Sequence, residues 1–224
     1  MPDAQRIEII VGHYGSGKTN LAVNLALERA QQGRPVSIVD LDIVNPYFRA
    51  ADFDELFSSR GVRLVKPMYA NTNLDIPAIN FDLERLLEED GDVIIDVGGD
   101  DAGATALGRY SALLNARQDK RVCCVVNCYR YLTAAPEETA ALLRDIELAS
   151  HVRLDALINN ANLGSATTPE DVERSESFCE ALSALTELPV AFPAVRRDFV
   201  DSIRIKGDIM PIDIYVKPLW EHHI

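Results

Sequence analysis

A chain of 224 residues with 47% hydrophobic, 25% charged and 7% aromatic side chains can bury one substantial core, so a single domain spanning residues 1–224 is expected. Its 22 Lys and Arg against 35 Asp and Glu leave a formal charge of −13, the wrong sign for a nonspecific grip on nucleic acid. No run reaches the roughly 18 apolar residues of a membrane span and the start MPDAQRIEII lacks a secretory pattern, so a cytoplasmic protein with no membrane role is expected.

Short apolar runs alternate with helix-patterned segments along the whole chain. The first run, RIEIIV (6–11), leads into Gly12-His13-Tyr14-Gly15-Ser16-Gly17-Lys18-Thr19, a full match to G-x-x-x-x-G-K-[ST] in the required order of strand, loop and helix. Glycines let such a backbone turn its N–H groups inward around phosphates. Lys18 supplies charge to the β and γ phosphates, Thr19 can ligate Mg²⁺, and Asn20 directly follows in the same nucleotide-binding segment. The helix KTNLAVNLALERAQQG places Leu21 and Leu25, with Ala22 and Ala26, on one face and ends at Gly33.

The second run, PVSIVD (35–40), continues as Asp40-Leu41-Asp42, and strand alternation sends both acids to one face. One can hold the metal while the other orients an attacking water, which assigns Lys18, Asp40 and Asp42 to catalysis. VRLVK (62–66) is followed by the irregular KPMYANTNLDIPAIN (66–80), a candidate contact surface as a long loop in an α/β fold. DVIIDV (92–97) delivers Asp96 to the same sheet edge as the Gly-rich loop, so Thr19, Asp40 and Asp96 are the expected metal ligands. After it, Gly98-Gly99-Asp100-Asp101 lets the Gly99 backbone approach the γ-phosphate and change conformation when that group leaves.

RVCCVVN (121–127) holds Cys123 and Cys124; with Cys128 and Cys179 they show no metal-type spacing and read as buried reduced thiols. LDALINN (154–160) ends in Asn159-Asn160-Ala161-Asn162. Guanine offers donors at N1 and N2 that a carboxylate accepts together, whereas the Asn162 carboxamide presents an NH₂; a carboxamide suits the donor and acceptor edge of adenine, so ATP is the expected nucleotide. Thr168-Pro169 opens a helix running toward Leu185, LPVAF (188–192) is a last strand, and IDIYVKPLWEHHI (212–224) reads as a strand and a tail. Near-continuous apolar strands indicate an α/β fold, a three-layer domain on a mostly parallel sheet with P-loop NTPase architecture.

GHYGSGKTNLAVNLA, VDLD, IIDVGG, LINNAN and LPVAFPAVRRD, in that order over residues 6–200, resemble the MinD/ParA-like branch of P-loop ATPases. The resemblance implies paired-acid positions at Asp40 and Asp42, a Walker-B position at Asp96, adenine contacts at Asn159 or Asn160, and a late loop enclosing the base from Phe192-Pro193 to Asp198. His13 stands where members usually carry a signature lysine that reaches into a partner subunit, so a homodimer would not form through such a lysine. The Gly-Ser-Gly-Lys-Thr and Val-Gly-Gly-Asp-Asp segments are also similar to urease-accessory GTPases, whose guanine motif and metal-binding Cys/His pair are missing here. The expected function is Mg-ATP hydrolysis as a conformational switch acting on a protein partner. The alternatives are a small-molecule kinase or ATP-dependent ligase, and a GTP-dependent metal-insertion accessory protein.

Overall fold

Runs of Val, Ile and Leu with apolar side chains on both faces need cover on both sides, which helices joining parallel strands supply. The computed structural model describes residues 6–42, 53–65, 83–99, 101–205 and 207–216. In chain order these form β1 (Ile7–Val11), α1 (Lys18–Gln31), β2 (Val36–Leu41), α2 (Asp54–Ser59), β3 (Val62–Val65), α3 (Leu83–Glu88), β4 (Asp92–Val97) and α4 (Asp101–Gly108). There follow α5 (Ser111–Asn115), β5 (Lys120–Val126), α6 (Pro136–Ser150), β6 (Ala156–Asn159), α7 (Pro169–Thr186), β7 (Val190–Arg196) and β8 (Met210–Ile212). The strands make one 8-stranded sheet in the order β3-β2-β4-β1-β5-β6-β7-β8, with every pairing parallel.

Alternation along each strand divides the core into two layers. Ile7, Ile9, Val39, Ile95 and Leu157 pack with Leu86, Leu107, Leu143 and Leu182 on one face. Ile10, Ile38, Ile94 and Ile158 meet Leu21, Leu25 and Phe57 of α1 and α2 on the other. Asp40 and Asp96 therefore fall on the α1 face, one residue out of step with Val39 and Ile95. The same face carries a buried ionic cluster at the opposite edge of the sheet: Arg29 of α1 donates to Glu8 at 2.9 Å and lies 3.6 Å from Asp92, which also pairs with Arg34 at 2.6 Å. Cys123 donates its thiol to Glu8.

α7 opens as expected from Thr168 and Pro169, with a reciprocal capping box between Thr168 and Asp171. The C-terminal region differs from its sequence reading. The strand there is Met210–Ile212, ending where the expected one begins, and residues 213–216 follow as irregular backbone. Three residues are too short for a hydrophobic period to register. β7 runs on to Arg196, so Phe192 and Pro193 lie within a strand and only the 3-10 turn Arg197–Phe199 is loop. The segment 66–80, Asp100 and residues 217–224 lie outside the described residues.

Candidate nucleotide site

The turn between β1 and α1 depends on three glycines at positive φ, Gly12, Gly15 and Gly17. Gly12 has φ 142°, and a Cβ there would fall 2.5 Å from the Val125 carbonyl oxygen. Gly17, at φ 91°, forms the N-cap of α1 with no side-chain cap, the kind of helix start that receives an anion. Lys18, 7% exposed, folds over the loop and donates to the His13 carbonyl at 3.0 Å, which also accepts from Ser16 N at 3.2 Å. Neighbouring loops brace the turn: Asn160 donates to Ser16 O at 2.7 Å, and Arg130, from the turn after β5, donates to Gly15 O at 2.9 Å. The His13 ring folds back to the Tyr14 carbonyl at 2.9 Å.

Behind the loop the sheet brings two carboxylates side by side, because Asp40 of β2 is in register with Asp96 of β4. Burial pushes the Asp96 carboxyl up to about 8; the nearby Asp40 adds to this, while Lys18 and the Thr19 hydroxyl pull it back. Even so, neither Asp96 oxygen makes a well-formed hydrogen bond. Two fully buried carboxylate oxygens without a well-formed hydrogen bond, beside a hydroxyl and a second carboxylate, are a hard-oxygen donor set, and Thr19, Asp40 and Asp96 fit a Mg²⁺ ion. Asp42 donates its backbone N–H to Asp40 Oδ1 at 3.0 Å, and its own carboxylate lies against Gly98. A Cβ on Gly99 would fall 2.6 Å from Lys18 Nζ, so the end of β4 sits directly on the Gly-rich loop.

From this end a cavity of about 470 Å³ extends along the carboxyl ends of β5 to β8. Of the residues singled out in the sequence, Tyr14, Gly15, Gly17, Lys18, Thr19, Asn20, Asp42, Gly99 and Asn160 line it. Gly12, His13, Ser16, Asp40 and Asp96 support it from behind or beside. Asn159 points the other way: its carboxamide donates to Ser175 of α7 at 2.7 Å and accepts from Ala161 N at 3.2 Å. Pro193 pairs with Asn159 inside the sheet, and its neighbour Ala194 is the residue that reaches the cavity. Asn162 is on the wall, with its amide donating to Asn160 O at 2.8 Å.

Two cavity residues carried no sequence signal: Arg130, which belongs to no motif, and Phe199, just past the expected base-enclosing loop, on which Arg196 of that loop stacks as a cation–π pair with the guanidinium carbon 4.2 Å from the ring centre. Among the described residues lining the cavity the only acid is Asp42, at the end where Lys18 lies. The thiols take no part: burial pushes Cys124 and Cys179 up to about 12, and no group of three or more His, Cys, Asp or Glu side chains that could hold a metal occurs among the described residues. No helix among them is long and apolar enough to cross a membrane.

A parallel three-layer sheet with a Gly-rich turn after its central strand and a carboxylate on the adjacent one is the architecture of P-loop nucleoside triphosphatases. The fold is similar to the 54 kDa signal recognition particle protein of Aeropyrum pernix K1 in complex with GDP, at TM-score 0.56 and 22% identity, covering 86% of this chain and 42% of that one. FtsY from Mycoplasma mycoides matches at TM-score 0.57 and 18% identity, over 85% of this chain and 59% of that one. The signal recognition particle receptor FtsY of Elizabethkingia anophelis in complex with GDP matches at 0.55 and 19%, over 87% and 58%. This chain thus spans about two fifths to three fifths of the length of those structures, and the likeness defines the fold. The sequence matches no protein-family model and no curated protein.

Proposed function

We propose that this protein binds a magnesium nucleoside triphosphate, with ATP preferred, and hydrolyses it as a switch read by a protein partner. The observation that carries the reading is Asp96, a fully buried carboxylate facing a second one, Asp40, with only the Thr19 hydroxyl to partly satisfy it, behind a phosphate-binding loop. A bound Mg²⁺ would neutralise charge on the β and γ phosphates there. Lys18 exchanges the His13 carbonyl for phosphate oxygens, the N–H groups at the start of α1 and the Gly99 backbone hold the phosphate chain, and Asp42 orients the attacking water. Arg130, already bonded to Gly15, adds a second cation beside the phosphates.

The preference for ATP is supported by Asn162 and by the lack of an acid at the far end of the described cavity, where guanine would need one for N1 and N2. Two of the similar structures hold GDP, which makes GTP the competing reading. Calorimetric titration with both nucleotides decides: ATP binds more tightly, and equal or tighter GTP binding refutes the preference. Lys18→Ala abolishes binding or turnover; unchanged affinity and rate would remove the assignment of the loop. His13 acts within its own subunit, so light scattering coupled to size exclusion shows no ATP-dependent dimer that His13→Ala dissolves. Phosphate release with and without fractionated cell extract tests for the partner.

A further inference from the structure

Asparagine inside a helix is a poor helix former whose amide competes with the backbone. Asn20 and Asn24 nevertheless lie one turn apart in α1, 8% and 6% exposed, and their partners explain them. Asp213 N donates to Asn24 Oδ1 at 2.8 Å, and Asp213 O accepts from Asn24 Nδ2 at 2.8 Å and Asn20 Nδ2 at 3.1 Å. Tyr215 N and Val216 N both donate to Asn20 Oδ1, at 2.8 and 3.2 Å. Arg197 grips the Asp213 carboxylate with Nε at 3.0 Å and Nη2 at 2.9 Å.

Backbone that belongs to no strand is thus fastened to the phosphate-loop helix by a ladder of side-chain hydrogen bonds. Its alternation sends Ile212, Ile214 and Val216 to the cavity wall, which Phe199 also lines. Asn24 is absent from that wall, and its side chain hydrogen-bonds the Asn20 carbonyl and the fastened backbone.

We propose that residues 212–216 are a strap forming the base-side wall of the nucleotide cavity, and that Asn24 is the positioning residue that sets it. The inference rests on the nucleotide reading above. Affinity for the base then depends on a side chain that never meets the ligand, while affinity for the phosphates does not.

Calorimetry on the full chain with Mg-ATP and with Mg-tripolyphosphate separates the two. Wild type binds ATP at least about tenfold more tightly than tripolyphosphate. Asn24→Ala lowers ATP affinity by about tenfold and leaves tripolyphosphate within twofold. Ile214→Ser, at a half-exposed wall position that folding tolerates, acts in the same direction and carries the test if Asn24→Ala does not fold. Equal weakening of both ligands, or an unchanged ratio in Ile214→Ser, overturns the proposal. A wild-type protein that binds tripolyphosphate as tightly as ATP overturns the strap alone; one that binds neither overturns the nucleotide reading and the strap with it.

Discussion

A methyl group added at Gly99 tests how closely the end of β4 must sit against the phosphate-binding loop. The Cβ of Gly99→Ala would lie 2.7 Å from both Tyr14 Cα and Tyr14 N and 2.6 Å from Lys18 Nζ, where ordinary contact begins at 3.4 Å. The lysine ammonium is the end of a flexible chain and can move aside. The Tyr14 atoms are backbone, so either the loop or the strand end must give by most of the ~0.7 Å shortfall. Overpacking of this kind costs about 1–3 kcal/mol, read as a melting temperature lower by about 2–4 °C per kcal/mol in a domain of this size. The kinetic effect is of similar size in free energy, because misplacing reacting groups by about 1 Å costs on the order of 100-fold in rate, about 2.7 kcal/mol. Phosphate release at saturating Mg-ATP, with calorimetric melting alongside, measures both. Gly61→Ala is the control: at φ 71° with nothing within 4 Å of its Cβ, it costs about 1 kcal/mol of backbone strain and leaves turnover alone. A Gly99→Ala protein that melts like wild type and turns over within a few fold of it would refute the reasoning.

Asp42→Asn keeps Mg-ATP affinity within a few fold and suppresses hydrolysis, since it removes an orienting carboxylate and no phosphate contact; normal turnover would place the water elsewhere. In Asp96→Asn the ligand-free protein melts higher than wild type, because a buried carboxylate held against the like charge of Asp40 is gone, and Mg²⁺ no longer adds to nucleotide-induced stabilisation. Arg29→Ala strands the Glu8 carboxylate, leaves Asp92 with Arg34 alone, and costs about 3–5 kcal/mol in urea unfolding, with tripolyphosphate affinity unchanged because the cluster lies at the far edge of the sheet. Hydrogen bonds from Thr168 hold the Asp171 carboxyl below its ordinary 3.8. Its stabilisation is therefore complete above that pH and lost as acid titrates the lower folded value, so the gap between wild type and Asp171→Asn in urea melts narrows below about pH 4.

What could be read beforehand was whatever has a local signal. The seven apolar runs from RIEIIV to LPVAF each contain a strand, because strands buried on both faces need continuous Val, Ile and Leu. The Gly-rich turn and the Thr168-Pro169 helix start are fixed by backbone chemistry within a few residues. The placement of Asp40 beside Asp96 followed from alternation and from parallel strands ending at one edge. β8 and the backbone after it could not be read that way. Their partners, Asn20 and Asn24, lie nearly two hundred residues earlier and look in sequence like ordinary polar helix positions. Arg130 reaches Gly15 only because β5 neighbours β1, a fact of sheet order that no motif encodes. Asn159 and Asn160 are adjacent in sequence, yet they face opposite sides of the sheet, one toward α7 and one toward Ser16; a resemblance that joins them does not separate their tasks.

The uniform strand direction also gives the molecule two rims of unlike chemical sensitivity. Turns that leave strands emerge beside Lys18, whereas turns that return from helices emerge at the opposite rim, where Gly33 and Gly61 are exposed and their Cβ positions meet no atom within 4 Å. A fluorophore, peptide tag or fused reporter attached at either return would sit across the full height of the sheet from the phosphates. Rotational or proximity readouts built there could follow engagement of a partner at the upper rim while nucleotide chemistry proceeds undisturbed.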